Sequence, residues 1–211
     1  MTKFLCLSDT HNQHDKVKME HADVILHAGD YCNSGGIGET KAFLEWFSKQ
    51  DSTHKILIDG NHCGLSEEQP ALFKELLKEY PNITYLKDEM VTINNIKIWG
   101  RPVTPEFYDW WHMAPRGGVK MMSTLSVIPS NIDVLVTHGP PMSVLDKDPN
   151  GVHVGCVDLM HELDRIRPKV CVFGHLHNNP GTIDLRDTKF INCAVVNNEH
   201  KVIFSPVIFY L

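Results

Sequence analysis

The 211-residue chain has no apolar run approaching ~18–20 residues, the length a helix needs to span a bilayer. It has no excess of positive charge. Twenty Lys and Arg stand against 26 Asp and Glu, a formal net charge of −6, which excludes a general basic face for duplex nucleic acid. Cysteine is sparse. Cys6, Cys32, Cys63, Cys156, Cys171 and Cys193 form no C-x-x-C pair, so zinc ribbons and thioredoxin-type redox sites are excluded. There is no Cys-x5-Arg phosphatase loop either, since Cys63 is followed by Gly64-Leu65-Ser66-Glu67-Glu68-Gln69. No repeat or low-complexity segment is visible. The apolar stretch in Met1–Asp9 is too short for a secretory leader and reads as a first strand. The expected compartment is therefore the cytoplasm, with reduced cysteines acting as small hydrophobes.

What remains is an ordinary globular composition, 42% hydrophobic and 22% charged, long enough to bury a core without disulfide or metal staples. One domain over residues 1–211 is expected. Strands are predicted at Lys3–Ser8, Asp23–Ala28, Lys55–Ile58, Ile83–Leu86, Met90–Ile93, Ile96–Trp99, Ile132–Thr137 and Val170–Phe173. Asn94-Asn95 fits a tight hairpin turn. Helices are predicted at Glu39–Gln50, Ser66–Tyr80 and Gly155–Arg167, the second with Ser66 and Gln69 at capping-box spacing and Pro81 as its stop. Thr188–Val196 and Lys201–Leu211 read as a closing antiparallel pair around Asn197-Asn198. Alternating strands and helices followed by strand–strand segments imply an α/β protein with two mixed sheets. Residues 101–130, rich in proline and carrying Tyr108, Trp110 and Trp111, show no clean period and read as an irregular insertion or lid.

The chemistry lies where the apolar strands stop. Five of them run into polar groups: Ser8-Asp9-Thr10-His11, His27-Ala28-Gly29-Asp30, Asp59-Gly60-Asn61-His62, Thr137-His138-Gly139-Pro140 and Gly174-His175-Leu176-His177. In α/β sheets the ligand crevice lies beyond the carboxyl ends of the strands. Each fragment alone reads as a turn, a cap or an interior histidine. Five in one chain make that bland reading untenable. Asp9, His11, Asp30, Asn61, His138, His175 and His177 are seven candidate ligands, too many for one tetrahedral ion and suited to two ions sharing a carboxylate. Carboxylate, imidazole and amide donors suit borderline to hard divalent metals without choosing among them; manganese is the expected ion, with iron, zinc and nickel as alternatives.

The order Asp-x-His, Gly-Asp, Gly-Asn-His, His, Gly-His-x-His resembles the calcineurin-like metallophosphoesterase superfamily over Asp9–His177. Within it the chain is similar to the small class III cyclic-nucleotide phosphodiesterases and the metallophosphoesterase-domain proteins, notably along Val134–Pro141. The resemblance implies a four-layer α-β-β-α sandwich. It implies that Asp9, His11 and His177 hold one metal, that Asn61, His138 and His175 hold the other, and that Asp30 bridges them. His62 would face the phosphate and protonate the leaving oxygen or stabilise the transition state. The superfamily usually places an acidic residue after Gly-Asn-His; Cys63 stands there instead and reads as a buried thiol.

The implied reaction is attack on phosphorus by a metal-bridging hydroxide. Two divalent ions, two carboxylates and a hydroxide leave the site at about +1, a draw for an anionic substrate in an acidic protein. Phosphoprotein phosphatases of the superfamily carry Arg before Gly-Asn-His. Asp59 is there in this chain, which favours a diester, most simply a small or cyclic nucleotide. Phosphomonoesterase, protein phosphatase and a non-catalytic scaffold are the alternatives. Arg101 and Arg116 are candidate phosphate contacts. Trp110 and Trp111 are candidates for stacking a base, with loop packing or a homodimer contact as the alternative. His27 is read as a neighbour of the metal ligands, and His153 as a surface or structural residue on a loop that could line the cleft. His14, His21, His54, His112, His161 and His200 are read as surface or structural.

Overall fold

A computed structural model describes all of residues 1–211. The elements, in chain order, are β1 (Lys3–Leu7), β2 (Ala22–His27), α1 (Ile37–Ser48), β3 (Ser52–Leu57), α2 (Leu65–Glu68), α3 (Pro70–Leu77), β4 (Ile83–Tyr85), β5 (Glu89–Ile93), β6 (Ile96–Arg101), β7 (Thr104–Pro105), β8 (Met113–Ala114), α4 (Val119–Leu125), β9 (Val134–Thr137), α5 (Val157–Ile166), β10 (Val170–Phe173), β11 (Gly181–Leu185), β12 (Thr188–Asn192) and β13 (Val207–Tyr210).

They form two large mixed sheets, ordered β13-β1-β2-β3-β4 and β11-β12-β10-β9-β6-β5. In the first, β1, β2, β3 and β4 run parallel and β13 is antiparallel to β1. In the second, β12, β10, β9 and β6 are parallel, with β11 and β5 as antiparallel edges. The strands are apolar at successive positions because both faces are covered. Phe4, Cys6, Val24, Leu26 and Ile56 pack against Val134, Val136, Val170, Val172 and Ile191 between the sheets. The alternate residues Leu5, Leu7, Ile25 and Leu57 face Phe43, Phe47, Phe73 and Leu76 of α1 and α3. On the far side Leu135, Cys171, Phe173 and Phe190 face Leu125 of α4 and Leu159 and Leu163 of α5. The result is the expected four-layer α-β-β-α sandwich.

Several local expectations need correction. Thr188–Val196 and Lys201–Leu211 pair antiparallel only beside the turn, at Val196 and Val202, and not along their length. Asn197 does turn the chain, but β12 joins β10 in one sheet while β13 crosses to β1 in the other. The antiparallel partner of β12 is β11, a strand with mostly exposed side chains and hence little apolar signal. The predicted helix over Ser66–Tyr80 is two helices, because Pro70 starts α3 and Gln69 leaves helical geometry. Ser66 does not cap; its hydroxyl donates to Asp59. Residues 101–130 are not without regular structure: they hold β7, β8 and α4, each too short to show a period. Asn94 and Asn95 do form the tight turn, both with φ above +50°.

Candidate metal centre

The parallel strands β1, β2 and β3 of one sheet and β9 and β10 of the other end at a common edge. An isolated parallel bridge, Ser8 to Ala194, ties the two sheets together there. The residues just past the strand ends leave extended geometry sharply. Asp9, His11, Asp30 and His175 have φ of 57°, 39°, 54° and 69°, a left-handed conformation that Asp, Asn and His adopt more readily than most residues. Each turn points its side chain back over the sheet edge.

The carboxylates are held first by backbone. Asp9 accepts from the His175 amide at 2.9 Å through Oδ2, and Asp30 accepts from the His62 amide at 2.8 Å through Oδ1. Glycines make room for them. A Cβ at Gly174 would strike Asp9 Oδ2 and Ser8 Oγ, and one at Gly60 would strike Asp30 Oδ1. This is why glycine stands beside the ligand positions in both motifs.

Asp30 Oδ2 lies 3.1 Å from His138 Nε2 and 3.8 Å from His11 Nε2. Asp9 Oδ1 lies 3.2 Å from His177 Nε2 and 4.0 Å from His11 Nε2. Asn61 Oδ1 is 3.1 Å from His138 Nε2, and the His175 ring centroid is 5.1 Å from that of His138. Donor atoms of Asp9, His11 and Asp30, and of Asp30, His138 and His175, fall within 4.8 Å of one another. All seven sequence-predicted ligand residues are thus gathered at one place: two donor groups share Asp30, a third joins His11, His177 and His200, and Asn61 reaches the cluster through His138.

Electrostatics follows from burial. Desolvation opposes ionisation of Asp9 and Asp30, but His177 and His138 respectively override it and hold both carboxyls below their ordinary range. His138 is pushed the other way by burial, yet Asp30 lifts it to about 9. Burial dominates at His11 and His175, lowered to about 4 and about 3. His138 Nδ1 lies 2.8 Å from the Ala28 carbonyl, which makes it an N–H donor; Nε2 faces Asp30 and Asn61, and the proton it shares with Asp30 is the one a cation would replace. His11 is 1% exposed and neither of its ring nitrogens has a hydrogen-bond partner. An orphaned buried imidazole beside two ionised carboxylates is what a cation would satisfy, so the donors fit divalent metal.

The remaining candidates separate. Trp110 reaches the site, with its ring 4.1 Å from that of His62. Trp111 packs on Gly64 and Gly35 and donates to Glu68, holding the segment against the Asn61 loop. Arg101 turns away to pair with Asp88, and Arg116 donates to the Val154 and Gly155 carbonyls. Asp59 also faces elsewhere. It is fully buried and accepts from Tyr31 (2.6 Å), Tyr85 (2.5 Å) and Ser66, so it carries no repulsion argument about the substrate. His27 backs the site through Thr10 Oγ1. His153 pairs with the buried Asp146. Cys63 is buried and free, as expected.

Two neighbours had no sequence signal. Phe107 lies 5.2 Å from the His175 ring, on the segment that had no period. His200 stacks on His11 with centroids 4.1 Å apart, although it was expected to be surface or structural.

The sequence profile of calcineurin-like phosphoesterases matches residues 2–179. The chain belongs to that family. Metallophosphoesterase domain-containing protein 1 of Homo sapiens is 32% identical, with the match covering 98% of this chain and 70% of the relative. Among solved structures, phosphopantetheinyl hydrolase from Mycobacterium tuberculosis superposes with a TM-score of 0.63 at 15% identity, over 94% of this chain and 90% of that one. TT1561 of Thermus thermophilus gives 0.67 at 10% identity, over 93% and 89%. Those two likenesses concern the fold. The family is one of phosphoesterases that use divalent metals, consistent with the donor set at this edge. No helix is long and apolar enough to cross a membrane.

Proposed function

We propose that this chain is a dinuclear metal-dependent phosphodiesterase acting on small or cyclic nucleotides. One observation carries the reading: a single Asp30 oxygen lies between His138 and His11, so two donor groups share one carboxylate. In this reading Asp9, His11 and His177 would hold one ion, Asn61, His138 and His175 would hold the other, and Asp30 would serve both. The bound pair, manganese in the first instance, supplies Lewis acidity and lowers the pKa of water.

The protein's own contribution is orientation and proton supply. His62 Nδ1 lies 2.7 Å from the Asn33 carbonyl, which fixes the ring and leaves Nε2 free. The ring sits 4.9 Å from that of His11, so in its imidazolium form, with both nitrogens protonated, it can hand the Nε2 proton to the departing alkoxide oxygen and remain the Nδ1–H tautomer. Asp9 and Asp30 are kept anionic by their histidine neighbours and need no further activation.

The diester preference rests on which cations are spent elsewhere. Arg101 and Arg116, the two sequence candidates for gripping a dianionic monoester, are committed to Asp88 and to loop carbonyls. A singly charged diester asks for less neutralisation. Trp110 beside His62 and Phe107 beside His175 give the rim two aromatic faces, which suit a planar base.

The test compares bis(p-nitrophenyl) phosphate with p-nitrophenyl phosphate in Mn²⁺, followed by 2′,3′- and 3′,5′-cyclic nucleotides. Faster hydrolysis of the diester is expected. Preference for the monoester refutes the substrate reading, and fewer than two ions bound at Mn²⁺ saturation refutes the dinuclear one.

A further inference from the structure

His200 is on none of the strand ends that build the site. It lies in the connection between β12 and β13, where the chain leaves one sheet for the other. That turn is held from within. The Asn197 side-chain carbonyl accepts from the Glu199 and Lys201 amides at 3.1 and 3.0 Å, and the His200 amide donates to the Asn197 carbonyl at 2.8 Å. The turn is tied to the site edge as well, because Val195 donates to Ser8 and accepts from Ile203 and Phe204. His200 itself has φ of 55°. Its ring therefore stands in a defined place, 4.1 Å from the His11 ring and only 11° from parallel with it.

His11 is where such support is missing. An imidazole that binds metal is ordinarily oriented by a hydrogen bond at its second nitrogen. His138 has that bond, to Ala28; His11 has none at either nitrogen. Its other aromatic neighbours, His62 and His177, meet it edge to face at 80° and 71°. His200 alone lies parallel to it. Parallel rings at this spacing cannot both ligate one ion, because an imidazole nitrogen binds in the plane of its own ring. His200 is thus set apart from the ligands, although its nitrogen comes within 4.8 Å of those of His11 and His177.

We propose that His200 is a positioning residue of the metal centre, whose stacked ring fixes the orientation of His11 in place of the missing hydrogen bond. The inference rests on the metal-binding reading above. It requires the ring of His200, not its nitrogens.

The test is a Co²⁺ titration of the full chain, followed by visible absorption, for the parent, His200→Asn and His200→Phe. Asn removes the ring yet tolerates positive φ; Phe keeps the ring without nitrogens. Thermal midpoints in EDTA establish that each variant folds. For His200→Asn, one of two Co²⁺ ions is expected to bind about 10-fold more weakly or worse, with a changed absorption band. His200→Phe is expected to stay within about 3-fold of the parent, with the parent's band. Parent-like binding by His200→Asn overturns the inference. So does binding by His200→Phe as weak as that of His200→Asn, since the nitrogen would then be the active feature. A parent that binds no Co²⁺ overturns the metal-centre reading and the inference with it, whereas a two-ion parent with an unchanged Asn variant overturns the inference alone.

Discussion

The histidines of the site give the metal-free protein a stability maximum near neutral pH. Burial works against a charge on His138, but Asp30, 3.1 Å away, raises its pKa from 6.5 to about 9. A histidine raised in this way contributes stability that is complete below its unfolded pKa and is lost as pH climbs through about 9. The shift corresponds to on the order of 3 kcal/mol. His11, His27 and His175 act on the acid side. Burial lowers them to about 4, 3 and 3, so the unfolded chain takes up protons first and stability falls as pH drops below ~6.5. Part of the His138 contribution is already gone at pH 7, so about 2–3 kcal/mol is lost between pH 7 and 9.5, which at ~2–4 °C per kcal/mol for a chain of this size is about 5–10 °C.

Circular dichroism melts in EDTA from pH 4 to 10 would show both limbs. Asp30→Asn removes the charge that raises His138 and should flatten the limb between pH 7 and 9, while the buried thiols, raised first by burial, contribute in both proteins. Saturating Mn²⁺ should abolish the His138 part of the alkaline decline, because cations then take the place of the proton. A metal-free parent whose midpoint stays level from pH 7 to 9.5 would refute the reasoning. So would an Asp30→Asn variant that declines as steeply as the parent.

Two further outcomes are expected. His62→Ala should retain both ions by metal analysis and lose ~10²–10⁴-fold in kcat, as befits a proton donor that is not a ligand; loss of an ion in that variant would show that the role of His62 is misassigned. Trp110→Ala should raise KM for a nucleotide diester by the worth of one stacked base, ~1–3 kcal/mol or about 5–150-fold, and leave hydrolysis of bis(p-nitrophenyl) phosphate nearly unchanged. Equal losses on both substrates would place Trp110 in loop packing instead.

The seven gathered donors are legible in the sequence because each sits directly after an apolar strand. A strand buried on both faces is a continuous run, as at Val24–Leu26 or Val170–Phe173, and where it stops the chain must turn at the sheet edge. Polar residues at those stops therefore declare both their place and their chemistry. Asp59 shows the limit of the method. It occupies a strand end too, but its side chain is taken up by Tyr31, Tyr85 and Ser66, partners that come from three separate stretches of chain. Arg101 is similar, facing Asp88 on the neighbouring connection rather than the cleft.

The amino-acid order by itself marked the central strand runs, the helices α1, α3 and α5, and the donor types at the strand ends, since periodicity and strand-end chemistry are local properties. Only the tertiary structure decided that β12 and β13 part into different sheets, that Trp110 rather than Trp111 reaches the site, and that His200 lies on His11. Those outcomes depend on contacts between residues distant in sequence, and a turn joining two sheets carries no local mark of what its side chains will meet.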